Sequence, residues 1–183
     1  MPIDILLMDV GTYEPSTKPG FNEFMYNLGL GYIAKAVMSK GHTFKIHQQY
    51  TESEEKLLNI IAEKKPRYLG MSSWTFNYPK TQSFVRKAKE FFPSLITIAG
   101  GIHATSVPES VTKDFDYVIV GEGEETIVEL LDALDNQKRL EQINGLAYLD
   151  NGEYRIRRRE RLGDIDKNGS PIREFDIQKN MTA

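Results

Sequence analysis

Four short stretches combine glycines, hydroxyl side chains and acids in a way that suits a polar ligand. They are Asp9-Val10-Gly11, Ser72-Ser73-Trp74-Thr75, Gly100-Gly101-Ile102-His103 and Gly121-Glu122-Gly123-Glu124-Glu125-Thr126. Glycine has no side chain, so a ligand can lie against the backbone and accept from its N–H groups. Small hydroxyl residues such as Ser72 and Thr75 can bond a ligand without filling a crevice. Gly121-Glu122-Gly123-Glu124 is not a dinucleotide fingerprint, because the third glycine is missing at the required spacing. Nor is it a P-loop, which needs Gly-Lys-Ser/Thr. Two acids would repel a phosphate, but they can bond ligand amides or favour a helix N-terminus, the second reading being the stronger for Glu125.

Absences narrow the chemistry. The chain has no cysteine, which excludes a disulfide framework, a cysteine nucleophile and a cysteine-ligated iron–sulfur cluster within it. The three histidines, His42, His47 and His103, stand in no His/Asp/Glu cluster, so no metal ligand and no catalytic residue is assigned. A net charge of −3 favours neither nucleic acid nor an anionic membrane. Arg155, Arg157, Arg158, Arg159 and Arg161 form a basic run, but Glu153 and Glu160 interrupt it, as on the exposed face of a strand. No apolar stretch approaches the ~20 residues needed to span a bilayer, and the start reads as a strand rather than a signal peptide. These features fit a cytoplasmic protein. The 183 residues, 40% hydrophobic and 27% charged, suit one compact domain with an extension.

The four stretches must be positioned by the elements before them. Residues 3–10, 43–48, 67–72, 95–99 and 115–120 are short apolar runs, as in strands buried on both faces. Between them lie helical patterns at 28–40, at 53–65 with Ser53 as N-cap, and at 79–92 with Phe84, Val85, Ala88, Phe91 and Phe92 inward. A short helix at most follows at 108–114, and a last good helix at 126–134. Strands alternating with helices predict a doubly wound α/β fold, a Rossmann/flavodoxin-like three-layer sandwich with five parallel strands in the order 2-1-3-4-5. All four stretches then fall at the carboxyl ends of strands, where ligands bind in open α/β sheets. Residues 143–149 and 154–158 flank Asp150-Asn151-Gly152 and predict a β-hairpin, since Asn-Gly accepts the positive φ values of a primed turn. The expected organisation is an α/β domain over 1–140, a hairpin extension over 141–161 and a linker or tail over 162–183. The long loop from 11 to 26 exceeds the usual connection length and reads as a flap over the site, with Thr12 and Tyr13 on it.

The same residues resemble the N-terminal cobalamin-binding domain of cobalamin-dependent radical SAM proteins. That family carries a Gly-Leu-x-Tyr-Ile/Leu-Ala helix start, matched by Gly29-Leu30-Gly31-Tyr32-Ile33-Ala34, and a Gly-x-Ser strand end, matched by Gly70-Met71-Ser72. It also carries Gly-Gly-x-His-Ala/Pro-Thr followed by Pro-Glu, matched by Gly100 to Thr105 and Pro108-Glu109, and Gly-Glu-Gly-Glu-x-Thr, matched by Gly121 to Thr126. The hairpin segment Ile143 to Tyr148, and Ser170-Pro171-Ile172-Arg173 before Phe175-Asp176, resemble the stretch that precedes the radical SAM barrel.

The resemblance implies cobalamin as cofactor. Its expected contacts are Thr12, Tyr13, Ser72, Ser73, Trp74, Thr75, Gly100, Gly101, His103, Gly121, Glu122, Gly123, Glu124 and Thr126. Other cobalamin-binding domains place Asp-x-His-x-x-Gly after the first strand, with the histidine on cobalt. Residues 11–29 hold no histidine, so the implied cofactor is base-off without a protein histidine ligand, its benzimidazole tail running between the third and fourth strands. The family's Cys-x-x-x-Cys-x-x-Cys is also missing. A [4Fe-4S] cluster and S-adenosylmethionine are therefore expected only in a downstream radical SAM domain, this chain being the binding part of a methyltransferase or related radical enzyme. The alternative keeps the fold without cofactor, as a scaffold or partner-binding module. A phospho-receiver is disfavoured because the third strand ends at Ser72 and not at an acceptor Asp. A flavodoxin-type site is disfavoured because Gly11-Thr12-Tyr13-Glu14-Pro15 is no phosphate loop.

Overall fold

The computed structural model describes residues 3–10, 27–49, 52–159 and 169–173. The apolar runs form β1 (Ile5–Asp9), β2 (Phe44–Gln48), β3 (Tyr68–Ser72), β4 (Ile96–Gly100) and β5 (Tyr117–Ile119). They are parallel neighbours in the expected order β2-β1-β3-β4-β5. The sheet has seven strands rather than five. The hairpin of β6 (Leu146–Asp150) and β7 (Glu153–Arg157) is not a separate extension, because β6 pairs antiparallel with β5 and continues the sheet. The physical reason is that β5 would otherwise present an open edge, which β6 covers with apolar residues Leu146, Ala147 and Tyr148. Its turn is the expected primed one, with Asn151 at φ 50° and Gly152 at φ 84°.

Helices cover both faces. α1 (Leu28–Met38) and α6 (Glu124–Asn136) pack over Ile5, Leu7, Ile98 and Ile119. On the other face, α2 (Glu54–Lys64) and α3 (Tyr78–Phe91) pack over Leu6, Met8, Leu69 and Met71. Alternate residues of β1 thus serve opposite cores, which is why its sequence is a continuous apolar run. Ser53 caps α2 as expected, accepting from the Lys56 N–H. One residue of the stripe expected to face inward fails: Phe91, the last residue of α3, is 62% exposed.

A helix absent from the sequence reading, α4 (Ile102–Ser106), starts directly after Gly101, and α5 (Pro108–Val111) follows it. Gly101 makes the sharp entry with φ 94° and ψ −173°, backbone geometry that only glycine adopts readily. A Cβ there would also lie 2.8 Å from the Ser73 carbonyl oxygen. After β7, residues 169–173 lie against α1, where the Ile172 N–H donates to the Gly31 carbonyl and Lys35 Nζ donates to the Ser170 carbonyl.

Candidate functional site

β1, β3 and β4 end side by side, with Asp9 opposite Ser72 and Ser72 opposite Gly100. Beneath these ends, on the α1/α6 face, lies a groove of about 210 Å³. Its floor is Leu7, Gly70 and Ile98 from three adjacent strands, its walls are Leu30 and Ile33 of α1 and Ile127 of α6, and its mouth is Ser72, Gly100, Gly101 and Gly121 to Glu124. Gly70 makes room for it. A Cβ there would lie 2.7 Å from Leu7 Cδ2, so any larger residue would fill the floor. Among the described residues the space over Gly100 and Gly121 is open, with nothing within 4 Å of a Cβ built on either. Glu122 Oε2 and Glu124 Oε2 are buried and have no hydrogen-bond partner among the described residues. Two larger clefts, of about 390 and 430 Å³, lie at the start of β5 and between the outer surfaces of α1 and α6. Neither is lined by a strand-end glycine.

The expected site residues divide by what they touch. Ser72, Gly100, Gly101, Gly121, Glu122, Gly123 and Glu124 line the groove together. Ser73 is buried and committed to the framework: its Oγ and N–H both donate to the Gly100 carbonyl, and its carbonyl accepts from the His103 N–H. Trp74, Phe76 and Ile102 do not line the groove; they follow the ends of β3 and β4 and are 44%, 70% and 58% exposed. His103 stacks on Tyr78 with ring centroids 4.1 Å apart, and its Nδ1 lies 3.3 Å from Thr75 Oγ1. Burial pushes its pKa down. Among the described residues no three His, Asp or Glu side chains gather as a metal site. Thr126 is not part of the groove lining; it is fully buried, and its Oγ1 donates to the Asn144 carbonyl, fastening α6 to the approach of β6. Thr12 and Tyr13 lie outside the described residues. Arg159 departs from the exposed-face reading of the basic run: it pairs with Glu125 and Glu129 of α6.

Two residues that position the site, Asn77 and Asn27, escaped the sequence reading. Asn77 is buried, its Nδ2 donating to the Val10 carbonyl and its Oδ1 accepting from the Trp74 N–H, which ties the β3–α3 loop to the end of β1. Its signal was an Asn just ahead of Pro79, a turn-and-cap residue. Asn27 caps α1 through its Oδ1 to the Leu30 N–H and donates from Nδ2 to Asp9 Oδ2 at 2.8 Å. Asp9 itself is 2% exposed, its Oδ1 has no partner among the described residues, and burial raises its pKa to about 6, the Asn27 bond opposing only part of that. Asp9 and Asn27 therefore set the start of α1, one wall of the groove.

This arrangement defines an open α/β domain with an apolar groove under the sheet's carboxyl edge that opens onto bare strand-end glycines. The B12 binding domain family matches residues 21–131, more than half of the chain, and the chain belongs to that family. An uncharacterized methyltransferase of Pyrococcus horikoshii is 31% identical over 156 residues, covering 82% of this chain and 33% of that protein. In structure, the cobalamin-dependent S-adenosylmethionine radical enzyme OxsB, solved with aqua-cobalamin and S-adenosylmethionine, superposes at a TM-score of 0.71 over 88% of this chain and 23% of its own, at 16% identity. The radical S-adenosylmethionine methyltransferase TsrM of Kitasatospora setae, solved with cobalamin and a [4Fe-4S] cluster, superposes at 0.68 over 86% of this chain and 29% of its own, at 16% identity. The chain thus spans about a third or less of each of these relatives.

Proposed function

We propose that this chain holds cobalamin for a radical SAM enzyme, a methyltransferase or a catalyst of related radical chemistry. The observation that carries the reading is the groove itself: an apolar slot for a nucleotide tail, opening onto glycines that leave the strand ends bare. The residues present fit the cofactor. Gly100 and Gly121 leave open space at the mouth, and Ser72 brings a hydroxyl there. The unpartnered carboxylate oxygens of Glu122 and Glu124 are acceptors suited to amide N–H groups, which the corrin carries around its edge. Trp74, Phe76 and Ile102 offer an apolar rim for a flat macrocycle.

In such a site the cofactor supplies the reactive cobalt, and the protein supplies binding, orientation and exclusion of water. Among the described residues His103 is the histidine nearest the site, and it is turned to Tyr78 and Thr75. The cofactor is therefore held base-off without a histidine on cobalt. Catalysis needs a downstream radical SAM domain with its own [4Fe-4S] cluster and S-adenosylmethionine, following the linker or tail over 162–183. The exposed aromatic rim favours one second reading, a cofactor-free module that docks a partner there.

One experiment separates these readings. The chain is incubated with hydroxocobalamin, passed through gel filtration, reduced to the cob(II)alamin state and examined by EPR. A co-eluting visible band with no nitrogen splitting on the cobalt signal is expected. Nitrogen splitting would overturn the base-off assignment, and loss of the band on the column would overturn cobalamin binding in favour of the docking module.

A further inference from the structure

We infer that the groove selects a benzimidazole-type lower base and discriminates against purine-bearing cobamides; this rests on the cobalamin reading above. Leu7, Gly70 and Ile98 stand two residues before Asp9, Ser72 and Gly100 in register, so the floor lies roughly 6–7 Å below the strand ends. A planar base tethered through its sugar at the mouth enters with its far edge deepest. For dimethylbenzimidazole that edge is two methyl groups. For adenine it is ring nitrogens and an amino group.

Among the described residues, nothing at that depth can satisfy the adenine edge. The floor and walls are aliphatic or glycine, with Leu7 and Ile98 each 2% exposed and Ile127 1%. Gly70 brings backbone close, but it sits inside a paired ladder, between β1 and β4, that engages its N–H and C=O groups. The polar side chains that line the groove, Ser72, Glu122 and Glu124, belong to the strand ends and the β5–α6 turn, at the mouth. An adenine base would therefore bury hydrogen-bonding groups without partners, which lowers affinity roughly tenfold or more. The methyl groups of the benzimidazole bury at no such cost.

Equilibrium dialysis of the 183-residue chain against cobalamin, an adenine-bearing cobamide and cobinamide, which has no tail, tests the inference. Cobalamin is expected to bind at least about tenfold more tightly than the adenine cobamide, whose affinity should approach that of cobinamide. Equal affinities for the two complete cobamides would overturn the selectivity and leave cobalamin binding standing. Failure of all three to bind would overturn both. An Ile98→Thr variant, which brings a hydroxyl to the floor, should narrow the gap between cobalamin and the adenine cobamide, its fold checked by circular dichroism; an undiminished gap in a folded variant counts against the inference.

Discussion

Replacing Asp9 by Asn tests the buried carboxyl that sets the start of α1. Asp9 is 2% exposed, with one oxygen bonded to Asn27 and the other unpartnered among the described residues. Its pKa rises from 3.8 to about 6 on folding, chiefly through burial. Below the lower value both folded and unfolded chains carry the proton, and its contribution is fully present. As the pH climbs towards the folded pKa, the unfolded chain releases its proton first, so stability falls between about pH 4 and pH 6 and then levels off. The rise corresponds to about 3 kcal/mol lost by pH 7, and at this burial solvent screening removes little of it. Asn keeps the bond from Asn27 but cannot ionise. Urea unfolding of both proteins, followed by circular dichroism at about pH 4 and about pH 7, gives two values of the Asn-minus-Asp difference. The pH-independent cost of a buried amide cancels between them, as does His47 on the adjacent strand, whose pKa burial lowers. The difference should move in favour of Asn by about 2 kcal/mol from the lower to the higher pH, because part of the loss has already occurred at pH 4. A difference that stays constant would mean that Asp9 ionises normally in the folded chain, and the buried-acid account of the α1 start would be wrong.

Other substitutions probe the site more directly. Gly101→Ala places a Cβ 2.8 Å from the Ser73 carbonyl at φ 94°; it should destabilise the fold by roughly 1–3 kcal/mol in urea melts and weaken cobalamin retention, whereas a wild-type melt would refute the strained turn. Gly31→Ala sets a Cβ 2.3 Å from the Ile172 carbonyl oxygen, so residues 169–173 should leave α1, read as faster amide exchange at Ile172; unchanged exchange would show that the close packing has slack. Trp74 is the chain's one tryptophan and is exposed just beyond the end of β3, so its emission should fall as hydroxocobalamin binds. Constant emission with cobalamin demonstrably bound would remove the rim from the cofactor's surroundings.

Much of this fold was legible in the sequence because its signals are local. Parallel strands buried on both faces leave continuous apolar runs, and crossover helices leave a different period between them. Glycine at a strand end is equally plain, and it led to the groove mouth at Gly100, Gly101 and Gly121 to Glu124. The hairpin turn at Asn151-Gly152 was readable from two residues. The pairing of that hairpin with β5 was not, because which edge a hairpin joins depends on what the rest of the sheet leaves open.

The same division holds for the site. Composition and spacing determined by themselves that the strand ends are bare and polar, that no cysteine chemistry resides here, and that residues 11–29 contain no histidine. Tertiary structure alone decided that Thr126 faces Asn144, that Ser73 is committed to Gly100, that Asp9 is buried against Asn27, and that Gly70 hollows the groove beside Leu7. Each of these depends on a partner far away in the chain. A residue's type says what it can bond, and only the packing of distant segments says what stands within reach.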